Sequence, residues 1–393
     1  MKKRILAVLM AAVMVASMAA CGASAPAETA PAEEAEAPAA EEAPAEEAEA
    51  PAEEAEEAAP AATAEGTIGV AMPTQSSERW IKDGNNMKEK LEALGYTVDL
   101  QYAEDDVQQQ VSQIENMLAS GVSCLVVASI DSSALVNPLS MAKAAGIPVI
   151  AYDRLLMDTD AVSYYATFDN KGVGTEIAKY VEEKLDLANQ TEPLNFEMFM
   201  GSPDDNNANM LYDGIMEVIQ PYIDNGTLVC KSGQLAFSEN NTLRWDQQTA
   251  MKRAEDILTA HYADDKLDLA FSAYDGLSYG VKAALEGAGY TVGSDDWPLI
   301  TGQDAELMAV KNIIAGSQAM SIAKDTRILA DKCVTMVQAV LEGAEPEIND
   351  TTTYDNGALV VPSYLCTPVP VDVDNYKEIL VDTEYYTEAE INE

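Results

Sequence analysis

Short apolar runs alternate along the chain with longer stretches in which apolar residues recur every three or four positions. The run from Ile147 to Tyr152 predicts a buried strand, because continuous apolar residues suit a strand that is covered on both faces. The stretch 107–118 carries apolar residues at steps of 4, 3 and 4, which is the spacing of one helix face. Strand and helix patterns take turns from residue 67 onward, and this alternation predicts parallel sheets with right-handed crossovers.

The alternation comes in two series, because it begins again after the segment 164–170. The predicted strands are 67–72, 96–102, 123–129 and 147–152 in the first series, and 196–200, 227–231, 267–272, 298–301 and 318–323 in the second. Each series is long enough for a sheet of its own. The chain is therefore predicted to be an α/β protein with two Rossmann-like lobes, and ligand sites favour the crevice between lobes.

An acid and a base follow the strand at 147–152 directly. Asp153 and Arg154 are predicted to lie at the carboxyl edge of the sheet, where open α/β sheets bind ligands. Together they offer acceptors and a rigid fork of donors, which suits a small polyhydroxylated molecule. The alternative is a surface ion pair that caps the strand.

Several other predicted strands end in polar residues in the same way. These residues are Thr74 to Arg79, Gly201 to Asn207, Tyr274 and Asp275, Gly302 to Asp304, and Lys324. Each group alone could be a helix cap or a turn, for which Asp, Asn and Ser are the common residues. Their shared position favours a ligand site. Trp245, near a predicted helix start, offers either a ring for stacking on the C–H face of a sugar or a core side chain.

Composition excludes several classes of function. The 393 residues carry a net charge of −44, which argues against a nucleic-acid partner because phosphate contacts need clustered Lys and Arg. The single histidine, His261, makes a histidine-based catalytic triad or zinc site an unlikely interpretation. The five cysteines show no CxxC spacing, and Cys124 lies in an apolar strand as a small hydrophobic residue.

The N-terminal segment has the features of a secreted lipoprotein. Residues 1–20 are predicted to be a signal peptide, with a basic start, an apolar stretch and small residues before Cys21. Met18-Ala-Ala-Cys21 is similar to a bacterial lipobox, which predicts a lipid on Cys21; secretion without lipid is the alternative. Residues 21–65, rich in Ala, Pro and Glu, predict a disordered tether that holds the folded part away from a membrane, or a spacer that only adds solubility.

Ordered stretches of the chain resemble the type I periplasmic sugar-binding proteins of ABC transporters. The chain is most similar to the ChvE-type multiple-monosaccharide-binding proteins and the xylose-binding proteins. The stretches that carry the resemblance are Val70-Ala-Met-Pro-Thr74 with Glu78-Arg-Trp80, Ser112-Gln-Ile-Glu-Asn-Met117, Ala151-Tyr-Asp-Arg154, Tyr165-Ala-Thr-Phe-Asp-Asn170, Gly201-Ser-Pro-Asp-Asp-Asn-Asn207, Leu243-Arg-Trp245, Tyr274-Asp-Gly276 and Gly302-Gln-Asp-Ala-Glu306. The match covers essentially residues 66–390.

The resemblance implies a set of sugar-contacting residues. These are Arg79, Asp153, Arg154, Asn206, Asn207, Trp245, Asp275, Asp304 and Lys324. Asp205 remains an alternative to Asn206, because adjacent residues alternate in direction. The resemblance also implies a hinge of three crossovers near Phe168, Lys324 and Thr352. One lobe would then hold 66–168 and 325–352, and the other 169–324 and 353–393.

Two departures from familiar motifs limit the expected cofactors. The stretch from Asp372 to Glu384 lacks the central Gly and misplaces the final Glu of the calcium loop found in glucose/galactose-binding relatives, so we expect no structural calcium or other metal. Gly172-Val-Gly174 lacks the third glycine and the ribose-binding acid of a dinucleotide site. These glycines predict instead a helix start packed close to a strand, and we expect no cofactor.

The resemblance implies a monomeric extracytoplasmic protein that captures an aldose such as xylose, glucose, galactose or arabinose and delivers it to an ABC transporter permease. A receptor partner for chemotaxis or a two-component system would use the same clamp. A secreted sugar-converting enzyme is a further alternative, since Asp153 and Asp304 could act as acid and base. A sugar-responsive repressor is excluded, because residues 21–65 are acidic where a basic helix-turn-helix would be needed.

Overall fold

The structure is a computed structural model that describes residues 65–393. The predicted signal peptide (1–20), Cys21 and all but the last residue of the predicted tether (21–65) lie outside the described residues. The strands are β1 (Thr67–Met72), β2 (Thr97–Tyr102), β3 (Cys124–Val127), β4 (Val149–Tyr152), β5 (Val162–Phe168), β6 (Leu194–Phe199), β7 (Leu228–Cys230), β8 (Leu269–Ser272), β9 (Leu299–Ile300), β10 (Met320–Ala323), β11 (Ser363–Cys366) and β12 (Val369–Asp372). The helices are α1 (Glu78–Ala93), α2 (Val107–Ala119), α3 (Val136–Ala144), α4 (Asn170–Lys184), α5 (Asn206–Asp224), α6 (Phe237–Asn240), α7 (Gln247–His261), α8 (Asp275–Gly287), α9 (Leu307–Ile314), α10 (Thr326–Glu342) and α11 (Glu388–Asn392).

The first sheet has six parallel strands in the order β11-β5-β4-β3-β1-β2. Its central strands are apolar along their whole length because both faces are covered. On one face, Met87 of α1 and Leu329 of α10 pack against Val70 and Val126. Residues of α2 and α3 form a second buried cluster on the opposite face. This sheet and its helices are called lobe 1.

The second sheet has four parallel strands in the order β7-β6-β8-β9. The antiparallel pair β10–β12 continues its edge, because the amide of Ala319 donates to the carbonyl of Ile300 at 2.8 Å. Helices α4 and α5 cover one face, and α7 and α8 cover the other. Gly174 allows α4 to approach α5 closely, since a Cβ there would lie 1.9 Å from the carbonyl oxygen of Leu211. Gly174 therefore serves helix–helix packing, not the predicted contact with a strand, while Gly172 lies in the predicted helix start, where its amide donates to the capping residue Asp169. This sheet and its helices are called lobe 2.

Three segments carry the chain between the lobes. The first joins β5 to α4 at residues 168–170, and the second joins β10 to α10 at 323–326. The third lies at 366–369, between β11 of lobe 1 and β12 of lobe 2. The expected crossover near Thr352 is wrong, because Tyr354 packs on Tyr165 and β11 then pairs with β5. Residues 353–366 therefore belong to lobe 1.

Several helices begin at an aspartate, and at Asp205 this is the cap that the capping interpretation expected. Asp106, Asp169, Asp205, Asp246 and Asp325 each accept a backbone N–H in the first turn of the helix that follows. The caps fix where each helix starts, and so they also fix where the neighbouring side chains point. The α/β fold with two parallel-sheet lobes is confirmed.

Candidate functional site

Three turns that face the space between the lobes have left-handed backbone without glycine. Asp153 has φ 58°, Arg244 and Trp245 have φ 59° and 54°, and Asp304 and Ala305 have φ 92° and 48°. Such conformations are uncommon outside glycine and cluster at ligand-binding sites, where the surrounding structure holds them.

The crevice contains a cavity of about 380 Å³. Its volume lies at the lower end of the range of roughly 300–1,000 Å³ found for small-molecule sites. Seven of the nine residues predicted for the site line this cavity: Arg79, Asp153, Arg154, Asn207, Trp245, Asp304 and Lys324. The structure therefore brings together residues that are up to 245 positions apart in the sequence.

Asn206 does not line the cavity, whereas Asp205 does. Asp205 precedes the first turn of α5 and accepts the amide of Asn207 through Oδ1 at 3.0 Å, which leaves Oδ2 for the cavity. The amide of Asn206 lies 3.4 Å from Oγ of Ser132 on lobe 1. The direction of the chain at the helix start therefore decides which of the two neighbouring side chains lines the cavity. It is Asp205, the alternative to Asn206.

Asp275 also fails to line the cavity, because it lies fully buried beneath it. Its Oδ1 accepts from Gln318 and Ser321 at 2.8 Å each, and its Oδ2 accepts the amide of Glu306 at 2.9 Å. Burial raises the pKa of Asp275 well above its usual value, and nearby Glu306 adds to that effect. Asp275 joins β10 to the start of α9, so its expected place in contact with the cavity is wrong.

Arg79 is the most heavily paired cation of the cavity. Its Nε and Nη2 donate to Oδ2 of Asp83 at 3.0 and 2.9 Å. Its Nη1 lies 2.9 Å from Oδ1 of Asp153 and 3.5 Å from Oδ1 of Asp304. Burial alone would lower the pKa of Arg79, but the three carboxylates hold that pKa well above its usual value. The guanidinium is thus charged and fixed in orientation.

Lys324 and Asp153 complete this charged group. Nζ of Lys324 lies 2.9 Å from Oδ1 of Asp304 and 4.0 Å from Oδ1 of Asp153. Burial would raise the pKa of Asp153, but Arg79, Lys324 and Arg154 outweigh burial and lower it. Oδ1 of Asp153 is buried and has no aligned hydrogen-bond donor among residues 65–393. Asp153 is therefore an ionised acceptor with hydrogen-bonding capacity to spare.

Arg154 reaches toward lobe 2. Its Nε lies 3.0 Å from Oδ2 of Asp205, and its Nη1 donates to the carbonyl of Ser129 at 2.9 Å. The same oxygen of Asp205 accepts Nε1 of Trp245 at 3.1 Å. Burial raises the pKa of Asp205, and Arg154 offsets part of that rise. One carboxylate thus orients both a guanidinium and an indole ring.

Trp80 is a cavity residue that was named from the sequence only as part of the stretch Glu78-Arg-Trp80, and not as a contact. Its side chain is 4% exposed and lines the cavity from lobe 1. The guanidinium carbons of Arg79 and Arg154 lie 4.4 and 5.0 Å from its ring centroid, within cation–π range. The sequence signal for this contact was the position of Trp80 directly after Arg79, a predicted contact residue. The guanidinium groups of Arg79 and Arg154 both pack on the Trp80 ring.

Trp245 supplies the aromatic wall of lobe 2. Its ring contacts Tyr274 edge-on, with centroids 6.1 Å apart. Gly201 lies under the indole, where a Cβ would come within 2.1 Å of the ring. The glycine after β6 is therefore required for the indole to occupy this position.

Glu306 is a second cavity residue that was not predicted as a contact. Its Oε1 accepts from Tyr274 at 2.7 Å and from Ser77 of lobe 1 at 3.0 Å. Its Oε2 accepts from Tyr279 at 3.2 Å. Burial raises the pKa of Glu306. The carboxylate connects the two lobes at one rim of the cavity.

Arg244 connects the lobes at the other rim. Its Nη1 donates to the carbonyl of Ile130 on lobe 1 at 3.1 Å and pairs with Asp204 of its own lobe. The amide of Ser132 on lobe 1 donates to the carbonyl of Asp204 at 2.9 Å. Polar contacts therefore span the crevice at Glu306 and at Arg244, in addition to the ion pairs within the cavity.

Two parallel α/β lobes, three crossing segments and one polar cavity between the lobes define a bilobal ligand-binding protein. Residues 68–345 match the periplasmic binding protein domain family. The chain belongs to this family, and the resemblance found in the sequence is confirmed.

Two curated relatives are similar over most of their length. The chain is 52% identical over 329 residues to the multiple sugar-binding periplasmic receptor ChvE of Rhizobium radiobacter, covering 84% of this chain and 93% of the relative. It is 51% identical over 324 residues to the multiple sugar-binding periplasmic protein SbpA of Azospirillum brasilense, covering 82% and 90%.

One solved structure of high similarity is an ABC transporter solute-binding protein from Clostridium phytofermentans with bound β-D-glucose. Its identity to this chain is 51% and its TM-score is 0.80, with 83% of this chain and 99% of that chain covered.

None of the helices within 65–393 combines the length and apolar character needed to cross a membrane. The described part of the chain also contains no cluster of three or more His, Cys, Asp or Glu side chains that could hold a metal ion.

Proposed function

We propose that the protein is an extracytoplasmic binding protein that captures one monosaccharide between its lobes and delivers it to an ABC transporter permease. One observation carries the proposal: cations and carboxylates from both lobes meet with two indole rings in a single cavity at the carboxyl ends of the strands. Relatives at 52% and 51% identity that are called multiple sugar-binding proteins support the same ligand class.

The charges of the cavity favour a neutral ligand with many hydroxyl groups. Arg79, Arg154 and Lys324 each already have a carboxylate partner, so no cation needs an anionic ligand to neutralise it. A hydroxyl can both donate and accept, and can therefore insert between such fixed donors and acceptors. Asp153 Oδ1, which faces Nη1 of Arg79 at 2.9 Å, provides one acceptor of this kind.

The indole rings provide for the apolar part of a pyranose. Trp80 lines the cavity from lobe 1 and Trp245 from lobe 2. Aromatic faces pack on the C–H side of a sugar ring, while the ring hydroxyls remain free for the charged groups. Aldoses such as xylose, glucose, galactose or arabinose have both features.

The energies are sufficient for capture. Micromolar binding requires about −8 kcal/mol. Hydrogen bonds to charged groups contribute roughly 1.5–3 kcal/mol each, from which ordering and desolvation costs are subtracted. A sugar that contacts both lobes binds the closed arrangement more tightly than the open one, and this difference drives closure.

The N-terminal sequence supports attachment outside the cytoplasm. In this proposal, residues 1–20 direct export, Cys21 carries lipid at the cell membrane, and residues 21–65 hold the lobes away from the surface. Metabolic labelling with a fatty-acid analogue tests this part, because Cys21→Ser should abolish the label.

A sensory role is the second candidate. One relative, ChvE of Rhizobium radiobacter, is named a receptor. The same lobes could present a bound sugar to a chemotaxis or two-component sensor. Capture of a permease or of a sensor by the sugar-loaded protein distinguishes the two roles.

An enzyme that uses Asp153 as its general acid is disfavoured by the charge state of that residue. A general acid needs a raised pKa, whereas the pKa of Asp153 is lowered by its cationic neighbours. Incubation with each aldose and analysis of the products tests this alternative, since turnover would support it.

The main experiment is a thermal-shift panel of monosaccharides with the full chain. A ligand that binds only the folded state raises the melting temperature in proportion to its affinity. We expect at least one aldose to raise it by several degrees at millimolar concentration. A panel without any shift, repeated by calorimetry, would contradict the proposal.

A further inference from the structure

Behind the cavity lies a carboxylate that the proposed function does not use. Asp83 follows Arg79 by one helical turn on α1 and is 0% exposed. It does not line the cavity, so a ligand cannot contact it. A fully buried acid needs partners for its charge, because isolated buried charges are costly.

The partners of Asp83 occupy both of its oxygens. Oδ2 accepts Nε and Nη2 of Arg79, and Oδ1 accepts the hydroxyl of Tyr152 on β4. Tyr152 is itself fully buried at the end of the strand that leads into Asp153. The strand therefore fixes Asp83, and Asp83 fixes two of the three nitrogens of Arg79.

The remaining nitrogen of Arg79 is the one that reaches the cavity. Nη1 lies between Asp153 of lobe 1 and Asp304 of lobe 2. Without Asp83, the guanidinium would be free to rotate toward these two carboxylates and pair with them through other nitrogens. The orientation of Nη1 thus depends on a group that no ligand touches.

We propose that Asp83 is a positioning residue that holds the Arg79 guanidinium in the orientation needed for ligand capture. This inference rests on the proposed function, because it concerns the affinity of the same cavity. Arg79 is expected to contact the ligand, and Asp83 acts only through Arg79.

The charge state of Asp83 gives the positioning a dependence on pH. Burial raises the pKa of Asp83 to about 6, with Arg79 lowering it, Asp153 raising it and Tyr152 lowering it. Below that pH, Asp83 is protonated and its attraction for Arg79 weakens. The ligand affinity should therefore be highest above the pKa and fall as the pH drops through it.

Other titratable groups near Asp83 do not change charge in this range. The groups that face it are Arg79 on α1, Tyr102 on β2, Tyr152 and Asp153 on β4, Cys333 on α10 and Tyr385 in the C-terminal segment. The pKa values of the tyrosines and of Cys333 are raised, that of Arg79 is raised, and that of Asp153 is lowered. The only histidine, His261, ends α7 outside the cavity.

The experiment measures the dissociation constant of the best aldose by calorimetry from pH 5 to pH 8, for the wild type and Asp83→Asn. At pH 8, the substitution should weaken binding by about tenfold, the value of one hydrogen bond to a charged group. The wild-type affinity should fall on acidification and approach that of Asp83→Asn at pH 5. The affinity of Asp83→Asn should lack the decline centred near pH 6 and should change only through the cavity acids Asp205 and Glu306, whose pKa values burial also raises.

Two further variants make the test specific. Tyr152→Phe removes a hydrogen bond that lowers the pKa of Asp83, so the midpoint of the acid decline should move to higher pH. Glu92→Gln removes an exposed carboxylate from the same helix, one that pairs with Lys88 at 3.8 Å, and should leave the whole profile unchanged.

The outcomes separate this inference from the proposed function. If the wild type binds no aldose, the proposed function fails. If the wild type binds but Asp83→Asn keeps the wild-type decline with pH, the positioning role is overturned. A uniform loss of affinity at every pH together with a lower melting temperature also overturns it, because it would indicate a purely structural role. If Asp83→Asn does not fold, Tyr152→Phe provides the test. An unchanged midpoint for its decline in affinity with falling pH would contradict the inference.

Discussion

The two walls of the cavity use different chemistry. Lobe 1 presents two guanidinium groups, Arg79 and Arg154, which lie over the ring of Trp80. Lobe 2 presents the ring of Trp245 and a carboxylate, Glu306, bonded to tyrosine hydroxyls. Lobe 1 thus gathers its cations on one aromatic ring, while lobe 2 combines an aromatic wall with carboxylates that pair with the cations of lobe 1.

The largest expected effect concerns the guanidinium that reaches across the crevice. Arg154→Ala should weaken aldose binding by at least about 100-fold, because it removes donors and leaves the buried carboxylate of Asp205 unpaired. Calorimetry measures the affinity, and circular dichroism checks that the fold survives. Unchanged affinity would show that lobe 1 does not supply the polar contacts.

The next effect concerns the aromatic wall of lobe 2. Trp245→Ala should weaken binding by roughly tenfold or more, because the stacking surface is lost. Trp297→Phe is the matched control: its indole donates to the carbonyl of Ser317 and does not line the cavity, so the affinity should not change. Equal losses in both variants would argue against a special role for Trp245.

A smaller effect is expected at the rim where Ser77 donates to Glu306. Ser77→Ala removes one hydrogen bond between the lobes and should weaken binding by about three- to tenfold. The change should appear as faster dissociation with little change in association, measured by stopped-flow fluorescence. Ser112→Ala, at an exposed helix position bonded to the carbonyl of Gln108, should change neither rate.

The smallest effect on affinity is expected beneath the cavity. Asp275→Ala removes three accepted hydrogen bonds from the interior of lobe 2 and should lower the free energy of unfolding by roughly 2–4 kcal/mol. Binding measured well below the melting temperature should change less than about threefold, since Asp275 does not line the cavity. A large loss of affinity with unchanged stability would instead make Asp275 a ligand contact, as the sequence suggested.

The sequence predicted the elements of the fold better than their ends. The apolar run before Asp153 and the alternation after it identified the lobes, because strand and helix periods are local properties of the chain. The third crossover was placed wrongly because β11 and β12 have only four residues each and lie in a tail without a clear period. Their assignment to different sheets depends on pairing with β5 and β10, which is information from distant parts of the sequence.

The sequence predicted correctly those cavity residues whose position in the chain, directly after a strand, is enough to place them at the cavity. Asp153 and Arg154 follow a strand, and the edge of the sheet places both of them. Side-chain direction is a finer property, and it separates Asp205 from Asn206 and moves Asp275 into the interior. Trp80 was missed as a contact because the same face of α1 packs on the core and borders the cavity. Periodicity identifies a buried face, but it does not show whether a residue on that face contacts the core or the cavity.

The three crossing segments have a consequence for how fast the lobes can meet. Two bodies joined by one flexible link can swivel about several axes, and most encounters would bring mismatched surfaces together. Links at 168–170, 323–326 and 366–369 oppose swivelling and leave bending as the easiest motion. The search for the productive arrangement is then close to one-dimensional, so little orientational entropy remains to be lost each time a guest is enclosed.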